Sequence, residues 1–370
     1  MRYTKEDFEI DYRYSSVQQA DGEQQSEDEH MLLGEESMVE IAHSEYEDEI
    51  LRLNTVLRVD DYKRTPYSIH MSYPTARALY TIQLYMVKQD YLIYKNRWGQ
   101  DRVMAWFEDA RCRLQPKEGD ILIELLPFTD DHYPCIYKTL QNLEVGHLLY
   151  NIGLLAEQYG CSYLVDNSFP NVALLRRERI AREQARDPER IVRFWKQAIL
   201  RSSGKYYGGL INFDSDHEMY RYIPKEINRM HAVQFYNEPK ELVKTVLLIN
   251  DGNAYVNEEY KISCDYVTLT KEYRYVNFRT QSQLLLIMMK WPEQWYENYA
   301  DLIQYIGMVA QEICIENSQK DVYNRPIKQV LHPFWGPILK QCSSLQDYIP
   351  FYGVITGKDS VCQSPYQQIV

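Results

Sequence analysis

PTARALYTIQLYMVKQDYLIY, residues 74–94, joins a proline-led turn to two short runs of mainly apolar residues. Apolar and polar side chains alternate over residues 82–87, as in a half-buried strand, and a second run covers residues 91–94. The polar pair Gln89-Asp90 separates the two runs and is suited to a tight turn. The pattern therefore predicts a β-hairpin that directly follows a proline-led loop.

The same pattern returns about 160 residues later in the chain. Residues 245–249 and 254–256 form two apolar runs on either side of Asp251-Gly252. In each half a helix with an apolar stripe follows the hairpin, around residues 148–159 and 302–313. A repeat of this kind predicts two copies of one folding unit.

A charged connector separates the two copies. Residues 176–190 are dense in charge, and a new helix is predicted to begin with Asp187 as N-cap and Pro188 in its first turn. We therefore expect a first domain over residues 1–180 and a second over residues 188–370.

The acidity of the chain is concentrated in residues 21–50. This segment holds twelve Asp and Glu and no Lys or Arg, and the remaining chain has 41 acidic and 41 basic residues, so its net charge is zero. Arg-Ser clusters at residues 13–16 and 201–205 open the two copies, and the first copy has the longer path from cluster to hairpin. We interpret the acidic segment as an insertion into the first copy, either a solvated loop or a docking arm for a basic partner.

Composition narrows the class of protein. No stretch approaches the roughly 18 apolar residues of a membrane helix, and the charged start MRYTKEDFEIDYR has no apolar signal core. The seven Cys are odd in number and form no CxxC, which favours reduced thiols. We expect a soluble cytoplasmic protein that binds neither membrane nor nucleic acid, and no metal site, because His132-x-x-Cys135 has no second ligand pair.

Residues 201–205, Arg-Ser-Ser-Gly-Lys, bring two cations and two hydroxyls together around a glycine. Such a set can hold a phosphate through charge-assisted hydrogen bonds. A lysine there could also stabilise negative charge that develops on a reduced ring system. The alternative is a solvated helix end, where Arg and Lys favour the helix dipole.

Three motifs resemble those of FMN nitroreductases. RSSGKYYGG, residues 201–209, resembles the Arg-x-Ser-x-Arg/Lys motif of that family. PTARALY, residues 74–80, is similar to the PSAGALY stretch of its SagB-type azoline dehydrogenase branch, although Arg77 replaces a glycine. EVGHLLYNI, residues 144–152, is similar to the E-A-G-H-x-x-Q-N-L helix of the same branch. The resemblance implies an α+β fold in which a mixed or antiparallel sheet is flanked by helices.

The resemblance also implies an FMN site between two such domains, because the family binds FMN at a dimer interface. The second copy has the cationic motif but no PSAGALY equivalent, whereas the first copy has the loop but Val17 in place of the second cation. We therefore expect two tandem nitroreductase-like domains that form a pseudodimer with one competent flavin site. Its expected cofactor-binding residues are Arg201, Ser202, Ser203, Lys205, Pro74, Thr75, Ala76, Arg77, Ala78, Leu79 and Lys358. Lys358 is alternatively an ordinary surface lysine.

The branch carries a Lys-Tyr pair at a fixed distance before its Gly-His, and the same distance leads here to His132-Tyr133. The implied activity is oxidation of azoline rings to azoles in a ribosomally made peptide, with His132 as base and Tyr133 polarising the ring. The alternative for His132 is a surface residue on a proline-containing loop. The acidic segment could contact the leader peptide or a cyclodehydratase. Alternative functions are an NAD(P)H-dependent nitro or quinone reductase and a non-catalytic scaffold without FMN.

Overall fold

The computed structural model describes residues 4, 6–7, 33–37, 41–60, 68–106, 108–127, 136–179, 187–200, 232–237, 239–249, 253–256, 260–263, 282–290, 299–318, 323–328, 335, 339–357 and 366–368. Five α-helices have their bounds within these residues: α1 (Glu45–Arg52), α2 (Glu108–Leu114), α3 (Tyr137–Gln158), α4 (Pro188–Leu200) and α5 (Ala300–Ser318). None of the described helices is long and apolar enough to cross a membrane.

The described strands are β1 (Leu33–Ser37), β2 (Arg58–Asp60), β3 (Ile69–His70), β4 (Ile82–Val87), β5 (Tyr91–Lys95), β6 (Asp101–Trp106), β7 (Ile121–Leu125), β8 (Cys161–Asp166), β9 (Val172–Arg179), β10 (Val233–Phe235), β11 (Val243–Ile249), β12 (Asn253–Val256), β13 (Tyr260–Ser263), β14 (Ser282–Lys290), β15 (Tyr323–Ile327), β16 (Tyr348–Gly357) and β17 (Tyr366–Gln368). Helices and strands together give an α+β fold, as the sequence predicted.

Both predicted hairpins are confirmed. In the first, Val87 pairs with Leu92, and the Lys88 N–H donates to the Tyr91 carbonyl at 2.9 Å to close the turn. In the second, Ile249 pairs with Asn253 in antiparallel register. Short apolar runs on either side of turn residues therefore located both strand pairs correctly.

The two large sheets have the same strand order. The first runs β1-β6-β5-β4-β7-β9-β8-β10, and the second runs β13-β12-β11-β14-β16-β15. When β4 to β9 and β11 to β16 are each counted in chain order, both sets read 3-2-1-4-6-5. All described pairings are antiparallel except that between β8 and β10. The first sheet is therefore mixed, and its central six strands match the whole second sheet.

Two strands pair with strands that lie far from them in the sequence. Strand β10, which follows α4 in the chain, extends the edge of the first sheet beside β8. Strand β17 pairs antiparallel with β2 and completes a small three-stranded sheet with β3. Segments from the later part of the chain thus complete two sheets formed by its earlier part.

Local sequence explains where α1 and α4 begin. The Ser44 hydroxyl caps α1 by accepting from the Glu47 N–H at 3.3 Å, and the Glu47 carboxylate accepts from the Ser44 N–H at 3.0 Å. The Asp187 carboxylate accepts from the N–H groups of Glu189 and Arg190 at 3.0 and 3.2 Å. The predicted N-cap of α4 is confirmed.

Helices α3 and α5 cross with their backbones in direct contact. A Cβ atom at Gly146 would lie 1.9 Å from the carbonyl oxygen of Gln304, and one at Gly307 would lie 2.3 Å from that of Leu143. Each glycine thus faces the residue three positions before the other glycine. Gly146 is therefore equivalent to Gly307, and Leu143 to Gln304, and both pairs are 161 residues apart in sequence. The crossing is reciprocal and depends on two glycines.

The core surrounds this crossing. One cluster of buried apolar side chains includes Leu84 and Ile123 of the first sheet, Leu285 and Ile287 of the second, and residues of both α3 and α5. Burial of this apolar surface is the main source of stability. The crossing therefore lies within an apolar cluster to which both large sheets contribute.

Gly146→Ala should lower the free energy of unfolding by about 3 kcal/mol, because its methyl group would overlap a backbone oxygen that cannot move alone. Gly160→Ala is the control, since a Cβ there meets open space and the positive φ of 64° costs only about 1 kcal/mol. Urea denaturation of both variants measures the difference. Equal losses would show that α3 and α5 do not meet in this way.

Candidate functional site

The described part of the expected flavin site is the proline-led loop at residues 74–80. The remaining site residues lie outside the described residues: His132, Tyr133, Arg201, Ser202, Ser203, Lys205 and Lys358. The side chain of Arg77 is likewise not described, whereas its backbone belongs to a short 3₁₀ turn over Ala76–Ala78. Within the described residues, the expected site therefore consists of the loop and the side chains that hold it in place.

The loop adopts a conformation that its residue types do not favour. Ala78 has a φ of 57° and Tyr80 a φ of 51°, which places two non-glycine residues in the left-handed region. Each such residue costs on the order of 1–2 kcal/mol. The Leu79 N–H donates to the Ala76 carbonyl at 3.1 Å, which closes the turn. Contacts from outside the loop must offset the backbone cost.

The main support is Glu144, a buried residue of α3 that is 3% exposed. Its carboxylate accepts from the hydroxyls of Thr75 and Thr81, both at 2.9 Å, and from the Thr81 N–H at 3.0 Å. The Thr75 hydroxyl also accepts from the Tyr80 N–H at 3.3 Å. One carboxylate thus ties both ends of the loop to the central helix.

Two further side chains fix the loop. The Arg97 guanidinium donates to the carbonyls of Leu79 and Tyr80 at 3.1 and 3.3 Å. The Tyr80 hydroxyl donates to the Ile69 carbonyl at 3.1 Å and accepts from the Met71 N–H at 2.9 Å. These bonds hold Tyr80, one of the two residues with positive φ, through both its backbone and its side chain.

A buried polar network connects the start of the loop to the helix crossing. The Ser72 carbonyl accepts from the amides of Asn151 on α3 and Gln311 on α5, both at 3.0 Å. His147 Nδ1 lies 3.0 Å from Gln311 Oε1, and its Nε2 lies 3.3 Å from the Tyr352 hydroxyl. A neutral imidazole that donates from Nδ1 satisfies the first contact. The start of the loop is therefore connected to both central helices and, through His147, to β16 of the second sheet.

Burial raises the pKa of the Glu144 carboxyl from the ordinary 4.5 to about 7. The hydrogen bonds from Thr75 and Thr81 and the charge of Arg97 favour the ionised form and oppose that rise. Glu124 on β7 behaves similarly: burial raises its pKa to about 7, against a hydrogen bond from the Tyr85 hydroxyl at 2.9 Å. Both carboxyls can change charge near neutral pH.

The expected site residues did not include Glu144, Thr81 or Arg97. In the sequence, Glu144 stands out only as the first residue of the EVGH motif. The available signals are two threonines near the ends of the loop and a carboxylate within the apolar stretch of α3, residues 143–156. Among the described residues there is no group of three His, Cys, Asp or Glu side chains that could hold a metal ion.

The contribution of Glu144 to stability should decline as the pH rises from about 4.5 to about 7, because this carboxyl then holds its proton in the folded protein but loses it in the unfolded chain. Glu144→Gln cannot ionise, so its stability relative to the native protein should increase across that window by up to roughly 3 kcal/mol. Urea titrations at several pH values measure this. Glu124→Gln should show a gain of the same sign, and the exposed Glu118→Gln controls for the charge change. A constant difference between Glu144→Gln and the native protein would contradict the raised pKa.

Comparison with known proteins identifies the fold. The sequence matches no protein-family model and none of the curated proteins. The structure is similar to a crystal structure from Anabaena variabilis described as a "putative nitroreductase", with a TM-score of 0.54 and 12% sequence identity over 85% of this chain and 88% of that chain. This likeness establishes that the chain has a nitroreductase-like α+β fold.

Proposed function

We propose that this protein is an FMN-dependent oxidoreductase that oxidises azoline rings to azoles in a ribosomally made peptide. The observation that carries the proposal is the loop at residues 74–80, held by Glu144 beside the crossing of α3 and α5 in a nitroreductase-like fold. The substrate class rests on the resemblance of PTARALY and EVGHLLYNI to the azoline dehydrogenase branch.

The proposal includes a tandem arrangement, with domains over residues 1–180 and 188–370. The common strand order of the two sheets and the reciprocal contact of α3 with α5 support it. The likeness to the nitroreductase chain covers 85% of this chain and therefore extends beyond either proposed domain. The two domains would form a pseudodimer within one chain.

The residue types suit an FMN site between these domains. Arg201, Ser203 and Lys205 would hold the phosphate and ribityl chain through charge-assisted hydrogen bonds, and Lys358 would add a cation. The loop would cover the ring from the other domain, in a conformation already fixed by Glu144 and Arg97. Bound FMN would supply the capacity to accept a hydride.

Conversion of an azoline to an azole removes one hydride and one proton from the ring. We assign the proton to His132, whose imidazole can accept it near neutral pH, and we assign Tyr133 to polarise the ring. The acidic residues 21–50 would contact the leader peptide or a cyclodehydratase partner.

Freshly purified protein should contain close to one FMN per chain, as measured from its absorption spectrum and protein concentration. Arg201→Ala with Lys205→Ala should release the cofactor without unfolding, because the phosphate loses both cations. Arg193→Ala with Lys196→Ala, which removes two exposed cations of α4, is the matched control and should retain FMN. Two FMN per chain would contradict the single site, and retained FMN in the first variant would contradict the assigned cations.

Incubation with an azoline-containing peptide should remove two hydrogens per ring, detectable by mass spectrometry. His132→Ala should slow the reaction by about 100-fold or more, because the base is lost. Tyr133→Phe should have a smaller effect. Rapid bleaching of the flavin by NADPH without azoline oxidation would instead indicate a nitro or quinone reductase, and a colourless protein would indicate a scaffold.

A further inference from the structure

The reciprocal crossing of α3 and α5 fixes which residues of the two helices are equivalent. Gly146 corresponds to Gly307 and Leu143 to Gln304, both with an offset of 161 residues. At the same offset, Glu144, which supports the loop, corresponds to Tyr305 on α5. The equivalent position in the second helix thus carries a phenol in place of a carboxylate.

The surroundings of these two residues differ in kind. Glu144 accepts three hydrogen bonds from Thr75 and Thr81. The ring of Tyr305 instead packs edge-on against Phe235, with 6.5 Å between ring centroids and an interplanar angle of 79°. Phe235 is the residue that corresponds to Pro74 at the same offset. An aromatic contact therefore occupies the place where the first domain anchors its loop.

The segment around Phe235 is also fixed by backbone pairing. Phe235 ends strand β10, which pairs in parallel with β8 of the first sheet. The Tyr163 N–H donates to the Ala232 carbonyl at 2.7 Å and continues this pairing. In the second domain, the segment that ends at Phe235, the counterpart of Pro74, thus forms the edge strand of a sheet.

We propose that Glu144 is the positioning residue that makes residues 74–80 a cofactor-binding loop, and that Tyr305 at the equivalent position leaves the second domain without such a loop. This inference rests on the proposed function and explains why one chain would hold one FMN. Glu144 does not touch the cofactor in this proposal. It acts by tying Thr75 and Thr81, on either side of the residues with positive φ, to α3. Together with Arg97, this attachment keeps Ala78 and Tyr80 in the left-handed conformation.

The hydrogen-bond geometry gives a direct test with two variants of Glu144. Glu144→Leu removes both acceptor oxygens, and with them all three hydrogen bonds, and leaves the Thr81 N–H buried and unpaired. Glu144→Gln keeps an oxygen that can accept from this N–H. Glu124→Leu is the matched control, because it removes another buried carboxyl of similar environment that contacts Tyr85 and not the loop.

FMN affinity of the apoprotein, measured by quenching of flavin fluorescence, is the first readout. Glu144→Leu should weaken binding at least tenfold, whereas Glu144→Gln and Glu124→Leu should remain within about threefold of the native protein. If Glu144→Leu does not fold, Thr81→Val removes one hydroxyl donor to Glu144 with little change in volume and should weaken binding in the same direction. Unchanged affinity in Glu144→Leu, or an equal loss in Glu124→Leu, would overturn the proposal.

Hydrogen exchange of the ligand-free protein separates this proposal from the proposed function. Glu144→Leu should accelerate exchange of the Tyr80 and Thr81 amides, and Glu144→Gln should do so much less. If the native protein binds no FMN, the proposed function fails, and the exchange rates alone decide whether Glu144 positions the loop. Unaltered exchange in Glu144→Leu would refute the positioning role even if FMN binds.

Discussion

The contact between α3 and α5 through Gly146 and Gly307 is the constraint on which the remaining structure depends. Because neither position carries a side chain, the two backbones approach closely enough for the carbonyls of Leu143 and Gln304 to occupy the space of a Cβ. This close approach brings Asn151 and Gln311 together, and both donate to Ser72. The proline-led loop begins two residues after Ser72, so the crossing determines its position.

A tandem chain can be asymmetric in a way that a symmetric homodimer cannot. In a homodimer every substitution is present twice, so both interface sites change together. In the proposed pseudodimer, Glu144 and Tyr305 occupy equivalent positions but differ in chemistry. In this proposal residues 74–80 of the first domain form a cofactor-binding loop. In the second domain, the segment that ends at the counterpart of Pro74 extends a sheet instead.

Local patterns predicted the elements that depend on local sequence. Alternation located β4, short apolar runs beside turn residues located β5, β11 and β12, and helical periodicity located α3 and α5. Sequence reasoning did not predict the strand β10 beside β8 or β17 beside β2, because pairing between distant segments leaves no periodic signal. Nor could it predict the positive φ of Ala78 and Tyr80, since tertiary hydrogen bonds override the intrinsic preference of these residues.

The pairing of β17 with β2 has a consequence for biosynthesis. Tyr366 lies opposite Asp60 in this pair, so their partnership closes a loop of about 300 residues. Strand β2 leaves the ribosome early, and it has no β17 to pair with until residues 366–368 have been translated. The β2–β3 pair can form long before the β2–β17 pair, and until then the nascent chain exposes the other edge of β2 without a partner strand.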